Sequence, residues 1–292
     1  MGVRFPPGGH WRGGEISARL ASLAKRAGGA IMKLISLNIW GGAAHDTFIT
    51  FIKDHSANTD IFCFQEVYTS SENAVSRGTH LNIFEELQSL LPDFQSFFAP
   101  IQDNIDEEGT IATPTVFGSG TFIRKSHKVE GNNFVFAYRG QNTFENDDLS
   151  TLGAGFHHFS ILMNGESLTV VNMYGTSTPG DKLDTPARLA QLKVLKEFLA
   201  RVAGPKIVCG DFNLSPETRS IMMLEETMKN LIKEFSIRTT RSILNEKKYV
   251  GQTIQRFADY TFVSPDIKIN SFEVPNIPVS DHLPMILEFS LV

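Results

Sequence analysis

Lys206-Ile207-Val208-Cys209-Gly210-Asp211-Phe212-Asn213 reads as a short buried strand that stops at a glycine and then presents a carboxylate and an amide two residues apart. Residues i and i+2 of a strand share a face, so the pattern predicts Asp211 and Asn213 turned toward one site and Phe212 turned toward the core. A carboxylate beside an amide at the mouth of an apolar strand makes a poor core. It suits gripping a hydrated metal ion and a phosphate.

The same device recurs along the chain. Lys33 to Leu37 is a strand ending in Asn38, followed by Trp40-Gly41-Gly42, whose glycines mark a tight turn. Asp60-Ile61-Phe62-Cys63-Phe64 is a continuous apolar run, the mark of a strand covered on both faces, and it is expected to end in Gln65-Glu66. Leu168 to Val171 leads into Asn172-Met173-Tyr174. Asp259 and the pair Asp281-His282 instead stand at the beginnings of strands. If those last strands run antiparallel to the others, all these polar groups meet on one rim.

Helical spacing is found over His45 to Ser56, Leu81 to Leu91 and about Thr185 to Val202, with a further helix expected from Pro216. Two loops are acidic, one with Asp103, Asp106, Glu107 and Glu108, the other with Glu145, Asp147 and Asp148. Loops of this length are often functional or mobile, yet their acidity reads as solvation more than ligand binding. The basic stretch holding Arg238, Arg241, Lys247 and Lys248 reads as a solvated loop, with contact to a polyanion as the alternative. His157 and His158 are neighbours on a strand, so one of them faces inward as a packed histidine.

Composition narrows the class. With 292 residues, 41% hydrophobic and 20% charged, the chain has the balance of an ordinary soluble protein with a substantial core. Its 23 Phe residues favour a sheet-rich interior. A net charge of -5 argues against a general duplex-DNA coat and leaves a nuclease with a local basic groove open. Cys63 and Cys209 lie inside apolar runs and read as unpaired core thiols. No apolar run reaches the length of a membrane span, so no stable membrane insertion is expected, and a cytoplasmic monomer is.

Residues 1–31 differ from the rest, since Arg4, Arg12, Arg19, Lys25 and Arg26 are set against Glu15 alone. The stretch lacks the apolar core of a secretory signal. It reads as a disordered extension or an upstream start artefact, with a transit peptide or basic arm as alternatives, ahead of one domain over 32–292.

Leu37-Asn38, Gln65-Glu66, Gly210-Asp211-Phe212-Asn213, Asp259-Tyr260 and Ser280-Asp281-His282, in that order, resemble the motif set of the endonuclease/exonuclease/phosphatase superfamily. The resemblance implies an α/β fold, a four-layer α/β/β/α sandwich of two packed mixed sheets with the site at one end. It implies a Mg²⁺ or Mn²⁺ cofactor held by Glu66 and Asp281, with Asn38 in support, and hard oxygen ligands of this kind suit those ions. By the same resemblance Asp211 orients or deprotonates the attacking water, and Asn213 holds that water or the phosphate. His282, kept charged and in one tautomer by Asp259, donates to a phosphate oxygen in the transition state.

Tyr174 stands where the family often has a histidine, and is expected to contact the phosphate or the leaving group. Arg188 and Gln191 resemble a family Arg-x-x-Gln element and are expected to brace the site. The turn at Trp40 resembles sphingomyelinase-like and bacterial members more than abasic-site nucleases, which carry an acid there. The implied activity is metal-dependent hydrolysis of a phosphate ester, a phosphodiester first, with nucleic acid among the candidate substrates. A lipid or inositol phosphate hydrolase and a catalytically degenerate binding module stay open.

Overall fold

The computed structural model describes residues 31–163, 165–248 and 255–291. Residues 1–30 of the expected extension and the side chains of Lys247 and Lys248 lie outside them.

Two six-stranded sheets form the centre of the molecule. Their strands, in chain order, are β1 (Met32–Asn38), β2 (Ile61–Thr69), β3 (Phe94–Asp103), β4 (Val116–Arg124), β5 (Lys128–Tyr138) and β6 (Ala154–Met163). They continue with β7 (Glu166–Tyr174), β8 (Lys206–Asp211), β9 (Lys229–Asn230), β10 (Asp259–Val263), β11 (Ile267–Glu273) and β12 (Met285–Leu291). The first sheet is ordered β11-β12-β1-β2-β4-β3 and the second β9-β10-β8-β7-β6-β5.

The two sheets repeat one pattern. At the centre of each, two strands run parallel, β1 with β2 and β8 with β7. Antiparallel strands flank each pair, β12 and β4 in the first sheet, β10 and β6 in the second. Asn38, Tyr174 and Asp211 therefore end parallel strands on the rim where Asp259 begins an antiparallel one, as the sequence led us to expect. Asp281 and His282 reach that rim from the connection just before β12.

Strand alternation assigns each face. Met32 and Leu34 of β1 and Ile61 and Cys63 of β2 join the cluster that holds Met173, Val208 and Cys209 of the second sheet. Ile35, Leu37, Phe62 and Phe64, at the intervening positions, pack with Phe48, Ile52, Ile83 and Leu87. Those last four belong to α1 (His45–Ser56) and α2 (Ile83–Leu90), which cover the outer face of the first sheet. On the far side α3 (Pro186–Arg201) and α4 (Arg219–Glu225) bury Leu192, Leu195, Leu199, Ile221 and Leu224. The result is helices, sheet, sheet, helices, with two apolar layers outside and one between. The described residues also hold two short helices, α5 (Leu231–Glu234) and α6 (Ile243–Lys248).

Local chemistry explains the helix ends. Thr185 accepts from the backbone N–H of Arg188 and Pro186 opens the first turn, both favoured where N–H groups lack partners. Thr218 caps α4 in the same way, so that helix begins at Arg219 and not at Pro216 as its sequence suggested. Neither Cys63 nor Cys209 forms a disulfide, and both are buried. No helix of the described residues is long and apolar enough to cross a membrane.

Candidate active site

Gly210 sets up the site. Its φ of +133° is a backbone conformation that L side chains rarely adopt, and an added Cβ would lie 2.1 Å from the carbonyl oxygen of Met173. Only glycine lets β8 run this close to β7. Phe212 enters the core as expected, but Asn213 departs from strand alternation with a left-handed φ of +55°. That turn folds its N–H back onto Asp211 Oδ1 at 2.9 Å. Asn213 Nδ2 donates to the Gly175 carbonyl at 3.1 Å, so the amide is anchored to the end of β7.

Asn38 faces the second sheet because it follows Met32, Leu34 and Ser36 on one face of β1. Its Nδ2 donates to Asp211 Oδ2 at 3.0 Å, and its Oδ1 accepts from the Trp40 N–H at 3.0 Å. A second bond from Asn38 reaches Glu66. Asn38 thus links the two acids and orients both.

Glu66 does not end its strand. β2 continues to Thr69 across a bulge between Phe64 and Val67, and Glu66 sits in that bulge with a φ of +55°. In unbroken alternation it would follow Phe62 and Phe64 toward the helices. The bulge re-aims it into the site, at a backbone cost of order 1–3 kcal/mol for a non-glycine residue in this region. Tyr174 is bonded to the Glu66 carboxylate, and burial with Glu66 and Asp211 nearby pushes the phenol well above its usual pKa. Tyr174 is therefore a neutral donor.

His282 is held from two sides. Its Nδ1 lies 2.8 and 2.9 Å from the two carboxylate oxygens of Asp259, so Nδ1 carries the proton and donates. Nε2 accepts from Arg241 and stands 3.8 Å from both Asp211 Oδ2 and Asp281 Oδ1. Burial raises the pKa of Asp259, and His282 partly offsets the rise. Thr240 brings Arg241 into place, for its hydroxyl accepts from the N–H groups of Ala258 and Asp259. The Leu283 N–H donates to the Thr240 carbonyl, which threads the segment between the two rims. Arg241 then lies 3.7 Å from Asp281 Oδ2 and is a constituent of the site, not the solvated loop cation expected from sequence.

All eight residues expected at the site converge: Asp211, His282, Asp259, Asn213 and Tyr174 with Glu66, Asn38 and Asp281. Four others join them. Glu107, from the loop read as merely solvated, lines the pocket with Tyr68, Lys182 and Arg241. Tyr68 donates to Glu107 at 3.2 Å. The pocket encloses about 200 Å³ and has an apolar wall made by Ile105, Phe117, Leu149 and Leu152. Lys182 donates to Asn213 Oδ1 and, at 3.2 Å, to the Ser177 carbonyl. The acidic loop and the basic stretch around Arg241 gave a visible signal in their charges, whereas nothing local marked Lys182.

The charge balance tests whether a cation belongs here. Burial, then Glu107, Asp281 and Asp211, push the Glu66 pKa well above its usual value. Crowding acids at a buried rim is unfavourable unless positive charge joins them, and against the carboxylates of Glu66, Glu107, Asp211, Asp259 and Asp281 only Arg241 and Lys182 stand in the described site. The donors on that side are carboxylate and amide oxygens with no thiol, a set that fits Mg²⁺ or Mn²⁺. Glu66 and Asp281 would hold the ion, with Asn38 in support.

A sequence profile of the endonuclease/exonuclease/phosphatase family matches residues 35–282. An endonuclease/exonuclease/phosphatase from Bacteroides vulgatus superposes with a TM-score of 0.63 at 18% identity, covering 90% of this chain and 100% of that one. A mannosyl-6-phosphatase from Bacteroides thetaiotaomicron gives 0.65 at 14% identity, over 89% and 100% of the two chains. At these identities the likeness is one of fold. A UPF0294 protein of Vibrio campbellii is 29% identical over 131 residues, 44% of this chain and 42% of that protein. The alignment thus spans less than half the length of the curated relatives it matches.

Proposed function

Because this chain belongs to the endonuclease/exonuclease/phosphatase family, we propose that it is a divalent-metal-dependent hydrolase of phosphate esters, cleaving a phosphodiester by in-line attack of water. The observation that carries this is the placement of Asp211. Its Oδ2 lies 3.8 Å from His282 Nε2, while the Asn38 amide and the Asn213 N–H fix its orientation. A proton acceptor and an imidazole nitrogen within reach of a phosphoryl oxygen thus face one space.

As the water oxygen bonds to phosphorus, Asp211 accepts its proton and the opposite P–O bond breaks, the leaving alkoxide taking a proton from solvent. Hydrogen bonds from Asn38 and Asn213 keep the carboxylate aimed. Asn213, anchored at Gly175, positions the water or an oxygen of the phosphate. In the resting site Nε2 accepts from Arg241, so His282 becomes a donor to a phosphoryl oxygen once Arg241 turns to the phosphate and Nε2 takes up a proton from solvent. The Asp259 carboxylate then stabilises the imidazolium and fixes its ring. Arg241, which shares Nε2 in the resting site, neutralises charge beside it. Tyr174 donates to Glu66 and holds that carboxylate in place. Glu66 and Asp281 would hold a divalent cation, which would supply Lewis-acid neutralisation of the phosphate.

A phosphomonoester or lipid phosphate is the second reading. It is favoured by the apolar wall of Ile105, Phe117, Leu149 and Leu152, which suits a compact leaving group better than a continuous duplex. Hydrolysis of bis-p-nitrophenyl phosphate in Mg²⁺ tests the proposal. Asp211→Asn with its fold intact should lose activity by orders of magnitude, and near-normal turnover would overturn the assignment. A panel of single-stranded and duplex DNA, RNA, sphingomyelin and sugar and inositol phosphates separates the two readings.

A further inference from the structure

Lys182 lies on the connection between β7 and α3, a segment that has no regular structure yet is tightly fixed. Its anchor is Arg188, which is fully buried in the first turns of α3. The guanidinium reaches back to the carbonyl oxygens of Leu183, Thr176, Ser177 and Pro179 at 2.7, 3.4, 3.3 and 2.6 Å. Four backbone acceptors on one planar fork pin the loop. Ser215 adds a backbone bond to the Lys182 carbonyl at 2.8 Å. Lys182 itself is held left-handed, with a φ of +59°, a conformation that disfavours any residue but glycine. The loop therefore holds one lysine in a strained backbone state and sends its side chain inward.

An ammonium has three donors and no acceptor. Two donors of Lys182 are used, on Asn213 Oδ1 and the Ser177 carbonyl. The side chain also lines the pocket shared by Glu66, Arg241, Asp281 and His282, which leaves the third donor to that space. Holding Asn213 alone would require only a neutral donor. A cation is an expensive choice there, because burial is the main influence lowering its pKa, to about 8. Asp211 and Glu66 favour the charge, while Arg241 and Arg188 oppose it. Among the described residues Lys182 bonds a carbonyl and an amide oxygen and no carboxylate, and a phosphate ester in the pocket would supply the anion.

We propose that Lys182 is a substrate-contacting residue of this site, its Nζ donating to a non-bridging oxygen of the bound phosphate ester on the side of Asn213. The proposal rests on the phosphate-ester reading above. Lys182 and Arg241 then grip the phosphate together, Lys182 as a point charge and Arg241 as a planar fork.

Inorganic phosphate with Mg²⁺ is the probe. Calorimetric titration of the full chain should show Lys182→Met binding phosphate on the order of 10- to 100-fold more weakly than wild type, the loss of one charge-assisted hydrogen bond. Lys182→Arg should recover part of that affinity. KM for a phosphate ester should rise in the methionine variant, a change that a purely structural brace of Asn213 would not produce without a matching loss of kcat. A second measurement needs no variant. Acylation of wild-type amines, followed by peptide mass spectrometry, should show phosphate protecting Lys182 while leaving the exposed Lys193 unchanged. Equal phosphate affinity in wild type and Lys182→Met, or labelling of Lys182 indifferent to phosphate, would overturn the proposal. Failure of the parent reading looks different: wild-type protein would then hydrolyse no phosphate ester at all.

Discussion

Gln65 in β2 of the first sheet donates its side-chain amide to Asn172 Oδ1 in β7 of the second at 2.6 Å, with both residues wholly buried. Asn172 in turn donates from Nδ2 to the Phe64 and Gly120 carbonyls and to Thr121 Oγ1, at 3.1, 3.3 and 3.1 Å. The pair is a polar tie between the two sheets, and Glu66 is its immediate neighbour in sequence. Asn172→Leu would remove all four of these bonds and leave Gln65 Nε2 with only its longer bonds to the Cys63 carbonyl and Ser36 Oγ, at about 1–3 kcal/mol for a buried group left short of its partner. We expect a loss of about 2–4 kcal/mol in urea unfolding, accompanied by lower hydrolysis as the Glu66 bulge loosens. A loss under about 1 kcal/mol would mean that the tie is not what joins the sheets here.

Asp259 clasps His282 Nδ1 with both oxygens, so its substitution acts first on the histidine. Asp259→Asn keeps size and shape, yet its amide donates where the carboxylate accepted. The imidazole then loses both its tautomer and the support for its charge. Turnover should fall on the order of 10²- to 10⁴-fold with little change in KM. Steady-state kinetics on a protein with an unchanged unfolding midpoint checks this. A variant within a few-fold of wild type would remove His282 from the chemistry.

Glu66 couples stability to metal and to pH. Its pKa is raised in the folded chain by burial and by Glu107, Asp281 and Asp211, so the folded state without metal favours its protonated form. That contribution to stability is present at low pH and is lost as pH rises through the raised value. Metal binding needs the ionised form, so the stabilisation given by Mg²⁺ should grow with pH. Thermal unfolding in EDTA and in Mg²⁺, at about pH 6 and about pH 8, reads the effect. Glu66→Gln should melt higher than wild type in EDTA at the upper pH and respond weakly to Mg²⁺. Equal Mg²⁺ shifts in both proteins would exclude Glu66 as a ligand. EDTA should abolish hydrolysis, and Mg²⁺ or Mn²⁺ should restore it.

Asn38, Asp211 and Asp259 could be read from the sequence because each depends on local information, an apolar strand with a polar residue at its end. The antiparallel arrangement that joins them to His282 was a conditional expectation, and the β12–β1 and β10–β8 pairings meet the condition. Glu66 was found for the right reason and placed by the wrong one. A strand end was expected, but a left-handed bulge inside a continuing strand turns it inward, and no glycine announces that bulge. Lys182 and Arg241 escaped because tertiary bonds from Arg188 and Thr240 carry them into the pocket from loops whose own composition says only that they are charged. The expected pairing of an inward and an outward histidine in β6 holds: His157 is buried, while His158 lies half-exposed against the Phe198 ring.

His157 should make the fold acid-sensitive. It is 3% exposed, its Nε2 bonds Asn132 Oδ1 at 3.2 Å, and its Nδ1 has no hydrogen-bond partner. Phe134 and Phe159 flank the ring at centroid distances of 6.4 and 4.2 Å. Burial, with a smaller effect of His158, lowers its pKa from 6.5 to about 4. As pH falls below 6.5 the unfolded chain takes up this proton before the folded one does, so stability present above that value is progressively lost toward pH 4. The shift corresponds to about 3 kcal/mol. His157→Gln keeps a donor for Asn132 and has nothing to protonate. Urea unfolding at about pH 7 should find the variant less stable than wild type, because a flexible amide packs poorly between two phenyl rings. At about pH 4.5 the gap should close or reverse by about 2–3 kcal/mol. Parallel losses in the two proteins would show that His157 is already protonated, or free to protonate, inside the sheet.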